Sequence, residues 1–212
     1  MSTRNCSVIF AAEIARGLLG HFVSAISGGN LYRQSSFLLD HLGKPVFGKH
    51  IHIEEQPHLL KGVGSAPFDS EGVVTQTRDI VTEGVLQGYV LDSYAARKLG
   101  MQTTGNAGGV HNLYIHDHGH DLPALLKQMD TGLFITELMG QGVNMVTGDY
   151  SRGAFGYWVE NGEIQYPVHE VTIAGNLKQM LENLQQVGND YDLRGNIRTG
   201  SLLIEGMTLA GL

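Results

Sequence analysis

The segment GDYSRGAFGYWVENGEIQYP, residues 148–167, decides the local fold of this chain. An apolar run that ends at Val159 is followed by Asn161 and Gly162, and a second alternating run begins at Ile164. Asn and Gly both tolerate the positive φ angles of a type I′ turn, so this pair between two such runs is a strong hairpin signal. The sequence therefore predicts a β-hairpin here. A hairpin alone specifies no chemistry.

The composition limits the classes of partner and compartment. The formal net charge of -7 argues against nucleic acid and anionic membranes as partners. No apolar run approaches the roughly 18 residues of a membrane-spanning helix, and residues 1–6 lack the pattern of a signal peptide. The single cysteine, Cys6, cannot form an internal disulfide, which fits the reducing cytoplasm. We therefore expect a cytoplasmic protein.

Short strand-like segments separated by turn residues dominate the rest of the chain. Glycine accounts for 29 of 212 residues, which favours tight turns and close backbone approaches over a helical bundle. We predict one domain over residues 1–212 of the α+β class, with a mostly antiparallel β-sheet and a few short helices. The predicted strands are residues 7–10, 51–55, 73–79, 85–91, 133–138, 143–146, 155–159, 164–168, 171–174, 201–204 and 207–210. The predicted helices are residues 11–26, 36–41, 93–99 (with Ser93 as N-cap), 121–128 and 176–186.

Three histidines at alternate positions form one candidate site. In YIHDHGHD, residues 114–121, they lie on one side of any extended segment: His116, His118 and His120. Imidazoles at this spacing suit a divalent metal ion. The stretch also lies between two predicted elements and contains a glycine, so a solvated loop is the simpler interpretation. Three other histidines are scattered and predict no joint site: His50, His52 and His58.

The first predicted helix carries an acidic residue, Glu13, on a largely apolar segment. A helical metalloprotease site needs two imidazoles near such a glutamate, so that both bind one zinc ion while the carboxylate activates its water. Ala12 precedes Glu13, and the next histidine, His21, lies about two helical turns further on. The sequence therefore favours Glu13 as an exposed helix acid.

Three further features are weaker candidates for chemistry. Cys6 lacks the signature of a nucleophile and is interpreted as a small apolar residue. Arg152, two residues after Tyr150, could clamp a carboxylate, although an arginine in a turn is usually a surface residue. The glycine-rich segments 27–29 and 104–109 resemble phosphate loops only in glycine content, because neither ends in Lys-Ser or Lys-Thr. None of these features specifies a reaction.

Several longer motifs resemble those of one protein family. The segments TELMGQG (136–142) and TGDYSRGAFGYWVENG (147–162) are similar to the TldD/PmbA family. Four more motifs follow the order of that family: FDSEG (68–72), YAARKLG (94–100), TIAGNL (172–177) and VGND (187–190). The resemblance covers nearly the whole chain and is closest to the PmbA, or TldE, branch. It implies that only the C-terminal half of such a protein is present, without the α/β N-terminal portion of the family.

The resemblance places the zinc site in a related subunit. TldD-type subunits of the family are zinc proteases that pair with PmbA-type subunits and cleave small, unfolded peptides inside a closed heterodimer. Their site is a His-Glu-x-x-x-His helix and a later cysteine. The matching segments here are AEIARG (12–17), which keeps only Glu13, and IRTG (197–200), which has no thiol. The resemblance therefore implies no catalytic residue and no metal ligand in this chain, and zinc is expected only in a TldD-type partner.

These implications lead to one hypothesis and two alternatives. We expect a non-catalytic PmbA/TldE-type subunit of a heterodimeric zinc metalloprotease that processes small unfolded peptides, with glycine-rich turns near residues 140–153 close to the peptide. The first alternative is an autonomous metallohydrolase that uses His116, His118 and His120. The second is a homodimeric peptide-binding module without a protease role. The expected partners are thus a TldD-type subunit or a second copy of the chain, and small unfolded peptides.

Overall fold

The computed structural model of the protein describes residues 3–211, which divide into two compact units. The barrel unit comprises residues 3–17, 117–192 and 199–211. The sheet unit comprises residues 18–116 and 193–198. This division into compact units does not test the prediction of one family domain over residues 1–212, which stays a prediction.

Strands and helices follow one another in mixed order along the described residues. The strands are β1 Arg4–Phe10, β2 Ile53–Glu55, β3 Arg78–Thr82, β4 Val85–Leu86, β5 Leu113–Ile115, β6 Gly132–Met139, β7 Asp149–Glu160, β8 Glu163–Asn176, β9 Leu184–Val187, β10 Ile197–Arg198 and β11 Leu202–Gly211. The helices are α1 Ala12–Ala25, α2 Gly28–Tyr32, α3 Ser93–Lys98, α4 Leu122–Met129 and α5 Leu177–Glu182. The predicted α+β class is confirmed. Within residues 3–211, no helix is long and apolar enough to cross a membrane.

Five strands of the barrel unit close into a barrel. Their order is β1-β6-β7-β8-β11, and β11 pairs back with β1, while β9 extends from β11. The β1–β6 pair is parallel, with Val8 opposite Leu133. Val8, Ile9 and Phe10 are all fully buried. Since successive side chains of a strand point to opposite faces, both faces of β1 are covered.

The predicted mostly antiparallel sheet was wrong, because both sheets are mixed. The sheet unit has the strand order β10-β5-β2-β3-β4, in which β10 and β5 run parallel, with Ile197 opposite Leu113. In each unit the two parallel strands lie far apart in the sequence, so no turn between them indicates that they pair. A short apolar run such as residues 8–10 also suits either direction of pairing.

The hairpin predicted from residues 148–167 is confirmed, and it is longer than predicted. Asn161 and Gly162 have φ angles of 54° and 74°, as a type I′ turn requires, and they join β7 to β8. The predicted strands 155–159, 164–168 and 171–174 are parts of these two strands. Register shifts in β7 at residues 154–156 and 158–159 interrupt the alternating pattern, which made the strands look shorter.

The strand predicted at residues 143–146 was wrong. The side-chain Oδ1 of Asn144 accepts a hydrogen bond from the Val146 N–H at 2.9 Å, and the Asn144 carbonyl accepts one from the Gly148 N–H at 2.8 Å. These bonds hold the segment in turns, with one isolated bridge between Val143 and Tyr150. The hydrogen bonds of Asn144 therefore favour turns over the strand that the apolar residues around it predicted.

A buried ion-pair network lies inside the sheet unit. Arg78 Nε donates to Glu55 Oε2 at 2.9 Å, and Arg78 Nη2 donates to Asn106 Oδ1 at 2.8 Å. Asn106 Nδ2 closes the triangle by donating to Glu55 Oε1 at 2.7 Å. Glu55 is 1% exposed, so its carboxylate depends on these partners. The network joins β2, β3 and the glycine-rich loop 104–109.

Local capping decides where the short helices begin. The helix predicted for residues 11–26 is confirmed by α1, and that for residues 121–128 by α4, whose N-cap Asp121 accepts from the Ala124 N–H. The N-cap of α3 is Asp92 and not Ser93, since Asp92 Oδ1 accepts from the Ala95 N–H. An aspartate carboxylate is a stronger acceptor at this position.

Two helix predictions need correction. Residues 36–41 form turns in place of a helix, because Ser36 Oγ donates to the Ala25 carbonyl at 2.6 Å and accepts from the Leu38 N–H. The helix predicted at residues 176–186 ends at Glu182, and its last part is the strand β9, which pairs with β11. Tertiary pairing with β11 therefore overrides the helical spacing of the leucines.

Candidate active-site cavity and histidine groups

A cavity of about 500 Å³ lies in the barrel unit at the start of α1. Its wall is formed by residues from α1, α4, β6 and three connecting segments. The lining residues are Ala11, Ala12, Glu13, Leu122, Phe134, Thr136, Asp190 and Ser201. The side chains offered to a ligand are thus apolar groups, two carboxylates and two hydroxyls.

The sequence folds α1 directly behind β1 because its apolar residues recur at helical spacing. Ile9, Phe134 and Leu125 form a buried cluster in the barrel unit, against which Ile14 of α1 packs. Glu13 is exposed in the first turn of α1, where a negative charge is favoured by the helix dipole. The helix therefore presents Glu13 to the cavity while its apolar stripe stays covered.

The positions of α1 that correspond to the zinc-binding histidines do not fit a zinc ion. Ala12 is buried and Gly17 is exposed, and neither side chain can ligate a metal. A Cβ added at Gly17 would have no neighbour within 4 Å, so space for a larger side chain exists there. Glu13 keeps the place of the general base. Among the lining residues, no imidazole or thiol accompanies that carboxylate.

The segment at the place of the expected cysteine also lacks a ligand. Ile197 and Arg198 form β10, and Thr199 is fully buried with its hydroxyl donating to the Gly200 carbonyl at 2.8 Å. The donor set of the cavity is therefore oxygen alone, whereas catalytic zinc sites of this kind combine nitrogen or sulfur ligands with a water.

Asp190 and Ser201 form a fixed polar pair in the cavity wall that the sequence did not reveal. Asp190 Oδ1 accepts from the Ser201 N–H at 2.8 Å, and Oδ2 accepts from the Ser201 hydroxyl at 2.6 Å. Gly200 allows this approach, because a Cβ there would overlap the carbonyl oxygen of Gly188. Only the motif VGND gave a signal for Asp190. Nothing in the sequence linked it to Ser201.

The structure divides the predicted histidine triad. His116 belongs to the sheet unit, and His118 and His120 belong to the barrel unit. His118 Nδ1 accepts the Val187 N–H at 3.2 Å, so a backbone contact occupies that nitrogen. His120 is exposed beside an isolated bridge to Gly188. Among residues 3–211, the ligand atoms of these three histidines do not form a group within 4.8 Å of one another.

A different group of metal-ligand atoms exists among the described residues. One ligand atom each of His52, Glu54 and His116 lies within 4.8 Å of the others, all in the sheet unit. No sequence pattern joined His52 to His116, because His116 lies 62 residues after Glu54. The antiparallel register of β2 and β5 brings them together.

Two further candidates take structural roles. Arg152 donates a side-chain hydrogen bond to the Tyr150 hydroxyl, and burial raises the pKa of Tyr150 to about 12 even though this arginine lowers it. Tyr150 is therefore a neutral phenol at physiological pH. Burial also raises the pKa of the Cys6 thiol, against the weaker opposing effect of Arg4. Cys6 is thus a poor nucleophile, as the sequence predicted.

Comparison with known proteins shows the family of the chain. Residues 3–211 match the family model described as the PmbA/TldA metallopeptidase C-terminal domain. The metalloprotease PmbA of Escherichia coli O157:H7 is 59% identical over 211 residues, covering 100% of this chain and 47% of that protein. The chain therefore belongs to the PmbA/TldD family, as the motifs indicated. It spans about half the length of the relatives that it matches.

Solved structures show the same fold. A proposed modulator of DNA gyrase from Bacteroides thetaiotaomicron has a TM-score of 0.95 at 32% identity, covering 100% of this chain and 48% of that one. TldE from Thermococcus kodakarensis has a TM-score of 0.87 at 23% identity, covering 100% of this chain and 51% of that one. The second likeness concerns the fold alone.

Proposed function

We propose that this chain is part of a PmbA/TldE-type subunit that holds no catalytic zinc and completes a peptide-processing zinc metalloprotease with a TldD-type partner. The observation that carries the proposal is the start of α1, where Glu13 faces the cavity between Ala12 and Gly17. The family motif has a histidine at each of those two positions. The absence of both histidines here supports a subunit that retains the fold and does not bind the metal.

A glutamate without a metal-bound water has no nucleophile to activate. In zinc proteases the ion lowers the pKa of its water to about 7, and the carboxylate then takes the proton. Asp190 is held by hydrogen bonds from the Ser201 N–H and hydroxyl, and one such carboxylate does not supply the three protein ligands of a catalytic zinc site. The residues of this cavity therefore suit a wall of a site better than its reactive centre.

The N-terminal half of β8 suits the second part of the proposal, which is contact with an extended peptide. β8 pairs with β7 along this half, whereas among residues 3–211 its pairing with β11 begins at Val171. Ile164 and Tyr166 are about half exposed there. Pro167 removes one N–H donor, so a peptide could pair with only part of this edge. Strand addition of this kind supplies main-chain hydrogen bonds without sequence specificity.

The test is a reconstitution of the full-length protein with the TldD-type subunit of the same cell. We expect the two to co-purify and to cleave an unfolded peptide. Glu13→Gln in this chain should leave cleavage within about twofold of the wild type. The same change in the zinc helix of the TldD-type subunit serves as the matched control and should reduce cleavage by about 10²–10⁴, the usual contribution of a general base. A loss of that size from Glu13→Gln would refute the proposal.

The two alternatives predict different results in the same experiment. An autonomous metallohydrolase would cleave peptide without any partner and lose activity when His116, His118 and His120 are changed to alanine. A homodimeric binding module would bind peptide without cleavage and would not co-purify with a TldD-type subunit. The ligand atoms of the three histidines do not form a group within 4.8 Å among the described residues, which argues against the first alternative.

A further inference from the structure

Three potential metal ligands lie on one face of the sheet in the sheet unit. His52 directly precedes β2, Glu54 lies within it, and His116 directly follows β5. The strands are antiparallel with Ile53 opposite Ile115, and the His116 N–H donates to the His52 carbonyl at 3.0 Å. His52 and His116 are therefore cross-strand neighbours. Glu54 shares their face because it is two residues from His52.

The ligand atoms stand close to the separations that a metal ion requires. His116 Nε2 is 3.2 Å from Glu54 Oε1, and one atom of His52 lies within 4.8 Å of both residues' ligand atoms. Metal–ligand distances of about 2.0–2.1 Å and a tetrahedral angle place two ligand atoms of one zinc ion roughly 3.3 Å apart. One pair thus already has the required spacing, and the third ligand atom lies within 4.8 Å of both.

A fourth donor comes from the next strand. His52 Nε2 is 3.2 Å from Asp79 Oδ1, and Asp79 on β3 lies opposite Glu54 in the ladder. The His52 and His116 side chains are 32% and 45% exposed, so an ion can reach them from solvent. Asp79 therefore adds a second carboxylate beside His52, from the strand next to β2.

Neighbouring side chains hold the donors in place. The ring centroids of His52 and His116 are 4.5 Å apart at 79°, and the Tyr114 ring lies 5.0 Å from His116 on the other side. Gln56 Nε2 donates a hydrogen bond to Glu54 Oε1. Such outer contacts restrict the orientation of ligands and lower the cost of ordering them around an ion.

We propose that His52, Glu54 and His116, with Asp79 as a fourth ligand, bind one divalent transition-metal ion of the zinc type. Imidazole nitrogens combined with carboxylate oxygens suit Zn²⁺, Co²⁺ and Ni²⁺ better than Mg²⁺ or Ca²⁺, which take oxygen ligands. The ion links β5, β2 and β3, and its role is structural. The site uses no residue of α1, so it goes beyond the proposed function and does not depend on it.

The test is a titration of the chelator-treated full-length protein with Co²⁺, followed by its d–d absorption, and displacement of Co²⁺ by Zn²⁺. We expect one Co²⁺ per chain. His52→Ala and His116→Ala should each weaken binding at least tenfold, since the loss of even an outer partner of a metal ligand costs about 10–100-fold. His58→Ala is the matched control, because His58 lies in the same unit but contacts Thr75 at 3.1 Å, and it should leave the titration unchanged.

Further variants keep the proposal open to refutation. Glu54→Gln removes a charge with little change of shape and should also weaken binding, while circular dichroism checks that each variant is folded. Glu13→Gln should not alter the titration, which separates this site from the cavity at α1. Absence of Co²⁺ binding would overturn the proposal, as would binding that survives His52→Ala and His116→Ala. Binding lost in His120→Ala but kept in His52→Ala would place the ion elsewhere and also overturn it.

Discussion

The buried network of the sheet unit is held together by charged side chains that pair with one another, whereas the cavity wall of the barrel unit relies on a backbone contact that only glycine permits. Glu54 and Glu55 are neighbours on β2, yet one meets His116 on the outer face and the other meets Arg78 inside. Around the cavity of the barrel unit, Gly200 lies directly against the Gly188 carbonyl. A substitution in the buried network of the sheet unit therefore disturbs charge compensation. A substitution in the cavity wall of the barrel unit disturbs a backbone contact.

The largest effect is expected where the sheet unit would lose charge compensation. Arg78→Met leaves the Glu55 carboxylate buried without its cation and should lower the free energy of unfolding by about 3–5 kcal/mol. Urea denaturation measures this change. The double variant Glu55→Gln with Arg78→Met removes both charges and should be more stable than Arg78→Met alone. If Arg78→Met cost less than about 1 kcal/mol, a figure typical of surface pairs, the contrast between the units would fail.

A smaller loss is expected where the barrel unit would lose its backbone contact. Gly200→Ala places a Cβ against the Gly188 carbonyl oxygen and close to Asp190 Oδ1, so the wall of the cavity must move. We expect a loss of about 2–3 kcal/mol, at the upper end of ordinary substitutions. Urea denaturation measures the loss, and tyrosine fluorescence shows whether the tyrosine side chains stay buried. An unchanged midpoint would show that the approach of the two glycines is not needed.

Gly17→Ala should stabilise the protein, in contrast to Gly200→Ala. A Cβ at Gly17 meets nothing within 4 Å, and the residue lies in the exposed part of α1. Alanine should therefore raise the free energy of unfolding by about 0.5–1 kcal/mol through helix propensity. Thermal unfolding followed by circular dichroism measures the gain. Destabilisation would indicate a neighbour at this position that the backbone geometry does not show.

The smallest effect is a change in acid sensitivity of the sheet unit. Burial of Asp69 opposes its ionisation, but the N–H groups of Ala107, Val73 and Glu71, with the charge of His111, outweigh it and lower the pKa of Asp69. A lowered folded pKa gives stability that is present above the unfolded value of about 3.9 and is lost as pH falls through the folded value. Asp69→Asn should therefore flatten the decline of unfolding free energy below about pH 4. Equal slopes in both proteins would contradict this assignment.

The sequence predicted those features whose cause is local. Asn161 and Gly162 form their turn through their own φ preferences, and α1 follows from the spacing of its apolar residues. The sequence also shows that Ala12 and Gly17 stand at the two histidine positions of the family motif, because that motif specifies side chains at fixed spacing.

The remaining features depend on pairing between distant segments. The parallel alignment of β1 with β6 closes the barrel, but nothing near residues 4–10 encodes the direction of the partner. His52 and His116 meet only through the register of β2 with β5, and β5 lies in a stretch whose glycine and polar residues predicted a loop. Asp190 and Ser201 are joined through backbone contacts of Gly188 and Gly200, which leave no pattern in the sequence.

The pairing of β1 has a consequence for synthesis on the ribosome. Val8 pairs with Leu133 on one side and with Ile204 on the other, so one hydrogen-bonding edge of β1 stays unfilled until β11 has emerged. At about 5–20 residues per second, β1 waits roughly 10–40 s for β11. During that interval three consecutive apolar side chains of the nascent chain face water. The order in which the strands leave the tunnel therefore exposes β1 to aggregation while the chain is being made.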